Sequence, residues 1–387
     1  MLYLLKRLFR VTCEEERGGP YAAIICILEV FLFKGPCLTY EDIRSSYRKG
    51  RKGHAKRVLK HLVQTGFIKK INDEYCLTTA GLTIVQGDPS HLCPTLFLAG
   101  ADTALRVAAE SGIRSLNWLL SAGRYWNGGE FKYSPDFELA MSLGGLLFLD
   151  SGAQQFYSKF NKLDYPYTPK QYLDLASKIR ADYIATLDLP LDILVPRGLS
   201  VTEGIKRTVE LGVETIALAE NMEVLGKVVP VLQGYDDPSQ WLECLDQYRE
   251  HGVTPQKFKY WGLGSLCMAR SARLVESVVK AVKRALGENT KVHVFGISIN
   301  SLKRVYSLIG SYDTSAWVYW AKMDGAVLVW SNRRRSFIHL QSRDGRRYKT
   351  EELLEVNLKS TLEMHRDLCK YYKVTTTSDV SPSSVGV

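Results

Sequence analysis

Two carboxylates and three amides stand where apolar runs of this chain stop, and a third carboxylate stands where one begins. "LGGLLFLDSGAQQF" (143–156) closes a buried-strand pattern at Asp150 and continues through Ser151, Gly152, Gln154 and Gln155. "IATLDLP" reaches Asp188, and "VVPVLQG" reaches Gln233 and Gly234. "KYWGLGSL" ends on Gly264, Ser265 and Leu266, and "SYDTSAW" sets Asp313 at the start of a further apolar run, "AWVYW". A carboxylate at a strand exit can move a proton, accept hydrogen bonds or attack carbon. It can equally cap a turn, because Asp, Ser and Gly are ordinary turn residues. Taken singly, Asp150, Asp188 and Asp313 carry both readings, whereas Asp182 and Asp192 read as solvated.

The elements that must position these groups alternate in kind. The apolar runs "TLFLAG", "SLNWLLSAG", "LLFLDSG", "DYIATLDLP", "VVPVLQG", "KYWGLGSL", "VHVFGIS" and "AWVYW" read as strands. Between several of them lie amphipathic segments such as "PKQYLDLASKIR", "VTEGIKRTVELGV" and "SARLVESVVKAVKRALG". Such alternation over about eight strands predicts an α/β fold, a (β/α)8 TIM barrel, across residues 91–375. A barrel keeps its chemistry at the C-terminal ends of its strands. A basic hairpin, "LVWSNRRRSFIHLQSRDGRRYKT", and a helix over 351–372 follow, then a polar tail, 376–387, expected to be disordered. Trp317, Tyr319 and Trp320 read as core packing, with base stacking as the alternative; Tyr260 and Trp261 read as barrel filling.

Residues 1–90 form a separate unit, and "QGDPSHLCP" (86–94) is its linker. An apolar helix (21–33) precedes a second helix, with Thr39 as N-cap and Asp42 three residues on. A third, "GHAKRVLKHLVQTG" (53–66), carries an apolar stripe of Val58, Leu59, Leu62 and Val63. Its other face holds His54, Lys56, Arg57 and Lys60, and "FIKKINDEYCLTTAG" then alternates as a hairpin. Three helices and a hairpin resemble a winged helix-turn-helix, whose third helix enters the DNA major groove; a protein-contact module is the alternative. A formal net charge of +10 and a pI near 9.1 favour a polyanionic partner. No apolar run reaches the 18 or so residues that span a bilayer. The N-terminal stretch reads as a packing helix, not a signal peptide. Eight scattered cysteines without a C-x-x-C pair suggest reduced thiols and a cytoplasmic location.

Taken together and in order, the strand-end motifs resemble the tRNA-guanine transglycosylase family. "LDSGAQQ" is similar to that family's Asp–Ser–Gly–Gly–Phe–Gln, "IATLDLP" to the strand ending in its base-reading aspartate, and "VLQGY" to its Val–Gln–Gly–Gly. "YWGLGSLCM" stands for the Gly–Gly–Leu loop and "SYDTSAW" for the nucleophile segment; the resemblance covers roughly 95–370. Two departures stand out. After Asp313 the chain runs Thr–Ser–Ala–Trp instead of Cys–Val–Xaa–Pro–Thr–Arg. The family's structural zinc takes three close cysteines and a histidine; His365 occupies the matching helix and Cys369 follows one turn later, but no cysteine cluster precedes them. No zinc or other cofactor is therefore expected. With the RNA-binding C-terminal domain missing and a basic winged helix at the other end, the pattern most resembles the divergent branch that inserts 7-deazaguanines into DNA.

That resemblance implies a reaction and its actors. A base is exchanged at one sugar carbon by double displacement through a covalent intermediate. Asp313 is implied as nucleophile and Asp150 as acid/base. Asp188 is implied as reader of the purine N1–H and amino group. Gln233, Gly234, Gly264, Ser265, Leu266, Ser151 and Gln154 are implied around the base, which must leave its stack to arrive. Arg333, Arg334 and Arg335 read as a phosphate clamp beside the site, or as a solvated run. The expected partners are DNA (or tRNA), a base such as 7-cyano-7-deazaguanine as co-substrate, and other DNA-modification proteins. Two alternatives stand beside this: the same exchange on tRNA, and an inactive nucleic-acid-binding barrel.

Overall fold

The chain divides into two units, Met1–Leu92 and Cys93–Val387. The computed structural model describes residues 27–28, 30, 37–46, 54–64, 68–71, 73–77, 93–113, 115–160, 164–268, 271–323, 325–340 and 349–378.

In the first unit, β1 (Cys37–Thr39), β2 (Ile68–Ile71) and β3 (Glu74–Leu77) form an antiparallel sheet in the order β1-β3-β2. Helices Tyr40–Ser46 and His54–Gln64 connect β1 to β2. The Thr39 cap forms as its sequence suggests: the Asp42 amide donates to Thr39 Oγ1 at 3.2 Å, and the Thr39 amide donates to Asp42 Oδ2 at 3.0 Å. Val58, Leu59 and Leu62 are buried, while Val63 is 37% exposed, so the apolar stripe is narrower than its sequence suggests. Lys56, Arg57 and Lys60 are exposed on the opposite side of that helix. Ile27, Leu28 and Val30 are helical and buried; most of the expected 21–33 helix and of the 86–94 linker lies outside the described residues.

In the second unit the strands are β4 (Thr95–Ala99), β5 (Leu116–Ser121), β8 (Gly144–Asp150), β9 (Tyr183–Ala185), β10 (Val228–Val229), β11 (Val231–Leu232), β12 (Tyr260–Leu263), β13 (Lys291–Val294) and β14 (Ser311–Thr314). A small antiparallel hairpin, β6 (Trp126–Asn127) with β7 (Glu130–Phe131), follows β5. The nine strands make one parallel, nearly closed, barrel-like sheet in the order β10-β9-β8-β5-β4-β14-β13-β12-β11, surrounded by helices. Its two edges, β10 and β11, are separated in sequence by Pro230 alone, so the sheet returns to its own start. Proline interrupts the ladder because it has no N–H. Its carbonyl still accepts from the Gly262 amide at 2.8 Å.

Alternation along the strands decides what faces inward. Phe97, Leu119, Phe148, Ala185, Val229 and Val231 pack together inside the sheet. Leu96, Leu98, Leu147, Leu149, Val292, Val294 and Tyr312 belong to the outer layer beneath the helices. Two residues past Phe148 on the same face is Asp150, and beside Tyr312 on the opposite face is Asp313. Tyr260 packs on the inner cluster and Trp261 is fully buried in the outer layer, as barrel filling requires.

Three expectations are corrected here. "AWVYW" is not a strand: Ala316–Met323 is a helix, and the last strand of the sheet in chain order is the more polar Ser311–Thr314, so Asp313 lies within a strand. A short apolar run cannot be told from a buried helix segment by periodicity. The last helix spans Thr350–Ser378 and so extends into the expected tail; residues 379–387 lie outside the described residues. The cysteines are not all reduced, since Cys93 and Cys369 form a disulfide with Cα atoms 5.3 Å apart across 276 residues of sequence. Among the described residues no helix is long and apolar enough to cross a membrane.

Candidate active site

The turn that leaves β8 depends on Gly152. Its φ is +80°, and a Cβ there would overlap the backbone of Gly123 in the neighbouring β5 exit. Glycine alone tolerates both conditions. The turn leaves Asp150 and Ser151 at the C-terminal end of the sheet, above the inner cluster. A cavity of about 360 Å³ opens there, and Asp150, Asp188 and Asp313 all line it.

Each carboxylate has a different setting. Asp150 Oδ2 accepts from Ser121 Oγ at 3.0 Å and from the Gly152 amide at 3.3 Å. Burial pushes its pKa up to about 6; the Ser121 bond opposes the rise and the charge of Asp313 adds to it. Ser121 Oγ also lies 2.6 Å from Gln155 Oε1. Asp188 accepts from Ser151 Oγ at 2.6 Å and from the Gln233 amide nitrogen. Burial, then the charge of Asp150, raises its pKa to about 7. Ser265 Oγ in turn donates to Gln233 Oε1 and accepts from the Leu191 amide at 2.8 Å. A Cβ at Gly264 would strike the Gln233 side-chain amide, so the glycine leaves Gln233 room for its bonds to Asp188 and Ser265.

Asp313 is held from below. Its Oδ1 accepts from the Gly296 amide at 2.8 Å and lies 3.3 Å from His293 Nε2. His293 is wholly buried, its Nδ1 is 2.6 Å from Ser311 Oγ, and Ser311 is bonded to the Tyr260 hydroxyl. One consistent set of protons runs from Tyr260 to Ser311 to His293 to Asp313.

Of the residues singled out in sequence, Ser151, Gln154, Asp188, Gln233, Gly264 and Ser265 line the cavity with Asp150 and Asp313. Gly234 and Leu266 do not. Gly234 backs onto the Trp241 ring, and Leu266 is buried in the outer core. The arginine run is not beside the site. Arg335 stacks on Tyr371, two residues beyond the Cys369 that is bonded to Cys93, just before β4 begins. Arg335 is thus tied to the last helix near the start of β4, and none of Arg333, Arg334 and Arg335 lines the cavity. Lys56, Arg57 and Lys60 lie in the other unit, and the His54 side chain is outside the described residues.

Sequence reading missed Arg124, Asp192, Lys322 and His293. Asp192 is half-buried, lines the cavity and accepts from the Met268 amide at 3.3 Å, so it is not a solvated bystander. Arg124 and Lys322 are exposed on the lining. His293 was detectable as the polar residue on the inner face of "VHVFG". Of the aromatic segment, Trp317 is core and Tyr319 is 54% exposed; Val318 and Lys322 are its residues on the cavity. The two residues that fall in the helix matching the family's zinc site are otherwise engaged. His365 Nδ1 is 3.0 Å from the Tyr312 hydroxyl, burial lowers its pKa to about 4, and Cys369 is disulfide-bonded. These two do not fit a structural zinc.

Fold and site together define a parallel barrel-like α/β protein with a carboxylate-lined cavity at the C-terminal strand ends, where such sheets hold their ligands. The profile of the family described as DpdA, DeoxyPurine in DNA protein A, matches residues 165–338, in agreement with the resemblance to the DNA branch of the transglycosylases. No curated protein matches the chain.

Proposed function

We propose that this protein is a base-exchange transglycosylase that replaces guanine in DNA with a 7-deazaguanine through a covalent aspartyl–sugar intermediate. The observation that carries the reading is the meeting of three differently held carboxylates in one cavity. The family match, by its description a protein of deoxypurines in DNA, supports DNA as the substrate.

Asp313, fixed by Gly296 and His293, attacks C1′ of the target nucleotide. The C1′–N9 bond breaks, its electron pair leaves with the guanine, and Asp150 supplies the proton the departing base needs. The incoming deazaguanine gives its N9 proton back to Asp150 and attacks C1′, and the ester C–O bond breaks to restore the Asp313 carboxylate. A pKa near 6 suits Asp150 to both directions of proton transfer. Asp188 accepts the purine N1–H and amino hydrogens, which return the ionised carboxylate the stabilisation that burial removes. Gln233 and Ser265 hold Asp188 in place for this contact. The exposed basic face of His54–Gln64 would bring duplex to the protein as a winged helix does.

The test is adduct formation. Full-length protein is incubated with guanine-containing DNA and RNA oligonucleotides and read by denaturing gel and intact mass. An adduct is expected on DNA, is lost in Asp313→Asn, and forms or decays more slowly in Asp150→Asn. An adduct that persists in Asp313→Asn removes the nucleophile assignment. One formed only on tRNA moves the substrate to RNA.

A further inference from the structure

A second cavity, of about 780 Å³, opens beside the first at the exits of β5 and β8. The two share Arg124 and Gln155 on their linings. The second is walled by aromatic rings: Trp126, Phe156 and Tyr165. The rings are set by their neighbours, Trp126 against Tyr167 at 5.2 Å and Phe156 against Tyr165 at 6.4 Å between centroids. Nothing in the exchange chemistry uses this cavity.

Two hydrogen-bonded links tie it to the reacting groups. The Tyr165 hydroxyl donates to the main-chain carbonyl of Asp188 at 2.7 Å, so a ring that lines the second cavity is tied to the backbone that carries the base-reading carboxylate. Gln155 meets Ser121 at 2.6 Å, and Ser121 meets Asp150 at 3.0 Å. A ligand in the second cavity thus touches residues that are each one or two bonds from Asp188 and Asp150. Arg124 lies between the two spaces. Its ion pair with Asp102, at 2.7 Å, is open to water at 45% and 65% side-chain exposure, and such pairs are easily exchanged. Arg124 is therefore available to a phosphate. Asp164, which also lines the cavity, is paired with Arg207 at 3.3 Å.

We propose that this cavity is a subsite for the nucleobase next to the exchanged guanine, stacked on the Trp126–Tyr165 wall, with Arg124 on the phosphate joining the two nucleotides. The proposal rests on the base-exchange reading, which puts a flipped nucleotide in the first cavity. Its neighbour is then one backbone step away and has lost its stacking partner. An aromatic wall restores stacking to any base, and a guanidinium between two adjoining cavities matches the one charge that must lie there. The subsite makes exchange depend on the presence of a base beside the target.

The test is a binding cycle between protein and strand. Full-length protein is titrated into fluorescein-labelled single-stranded nonamers that hold one guanine at the centre and an abasic residue on its 5′ side, its 3′ side, or neither. Wild type is expected to lose roughly 5- to 100-fold in affinity when one particular flank is abasic, the range for stacking a base on an aromatic ring. Trp126→Ala should lose the same factor on the intact strand and nothing further on that abasic strand. Trp126→Phe, which keeps a ring on Phe131 and Tyr167, should behave as wild type and shows that the wall still folds. Losses that multiply, or a wild type indifferent to both flanks, overturn the subsite. Incorporation of radiolabelled guanine into the same strands is measured in parallel. If no label enters while the binding cycle holds, base exchange fails and the subsite stands. If label enters while the losses multiply, the subsite fails and base exchange stands.

Discussion

At the scale of single residues, the inner face of the sheet decides which side chains can act. Asp150 and Asp188 were legible because carboxylates end apolar runs at strand exits, and Asp313 only through its place in the order of the strand-end motifs. Their differences were not, because burial and partners come from other strands. Asp192 looked solvated in sequence, yet the Met268 amide and the cavity lining account for it. His293 supplies the sharpest residue-level expectation. Its Nε2 and the Gly296 amide meet the same oxygen of Asp313, leaving the other oxygen to react. His293→Phe removes one of the two holds, and a nucleophile displaced by about 1 Å can lose about 100-fold in rate. The expected signature is a fall in kcat of about that size with KM unchanged, since the purine contacts are elsewhere. His293→Gln, which can still present an N–H, should recover part of the loss. Wild-type kcat in His293→Phe would remove the histidine from the mechanism.

At the scale of elements, long periodic segments and most short apolar runs were readable, and the one polar strand was not. Val201–Asn221 and Ala272–Leu286 follow their amphipathic patterns. "SYDT" has too few apolar residues to signal a strand, and the adjoining "AWVYW" drew the assignment away from it. No local pattern could reveal Cys93–Cys369, because the partners are far apart in sequence and meet only when the last helix packs at the beginning of β4. This bond closes the ends of the second unit on each other. Loop-closure entropy for so long a loop sets its contribution at about 5 kcal/mol, before native strain is subtracted. Cys369→Ser is expected to lower the melting temperature. In wild type, alkylation without reductant should leave Cys93 and Cys369 unmodified and recoverable as one cross-linked peptide pair. Alkylation of both thiols in the unreduced, denatured chain would show that the bond does not form in solution.

At the scale of the whole molecule, the proposed function would divide affinity and chemistry between the two units of the chain, a division that experiment can test. The second unit holds the carboxylates and the cavity. The first presents Lys56, Arg57 and Lys60 on the exposed face of a helix whose buried face is Val58, Leu59 and Leu62. Cations held on a regular helix can meet successive phosphates, and each phosphate neutralised adds about 0.9 to the slope of log affinity against log salt. Replacing all three residues by glutamine should therefore weaken duplex binding at low salt and flatten that slope by roughly 2 to 3. The loss should be similar for unrelated sequences, because phosphate contacts carry no base information. Exchange of labelled guanine into a short single strand at saturating concentration should stay at the wild-type rate, since none of the three lines the cavity. An unchanged salt slope would assign this helix to protein contacts. A lost exchange rate on the saturated short strand would show that the two units do not divide the work in this way.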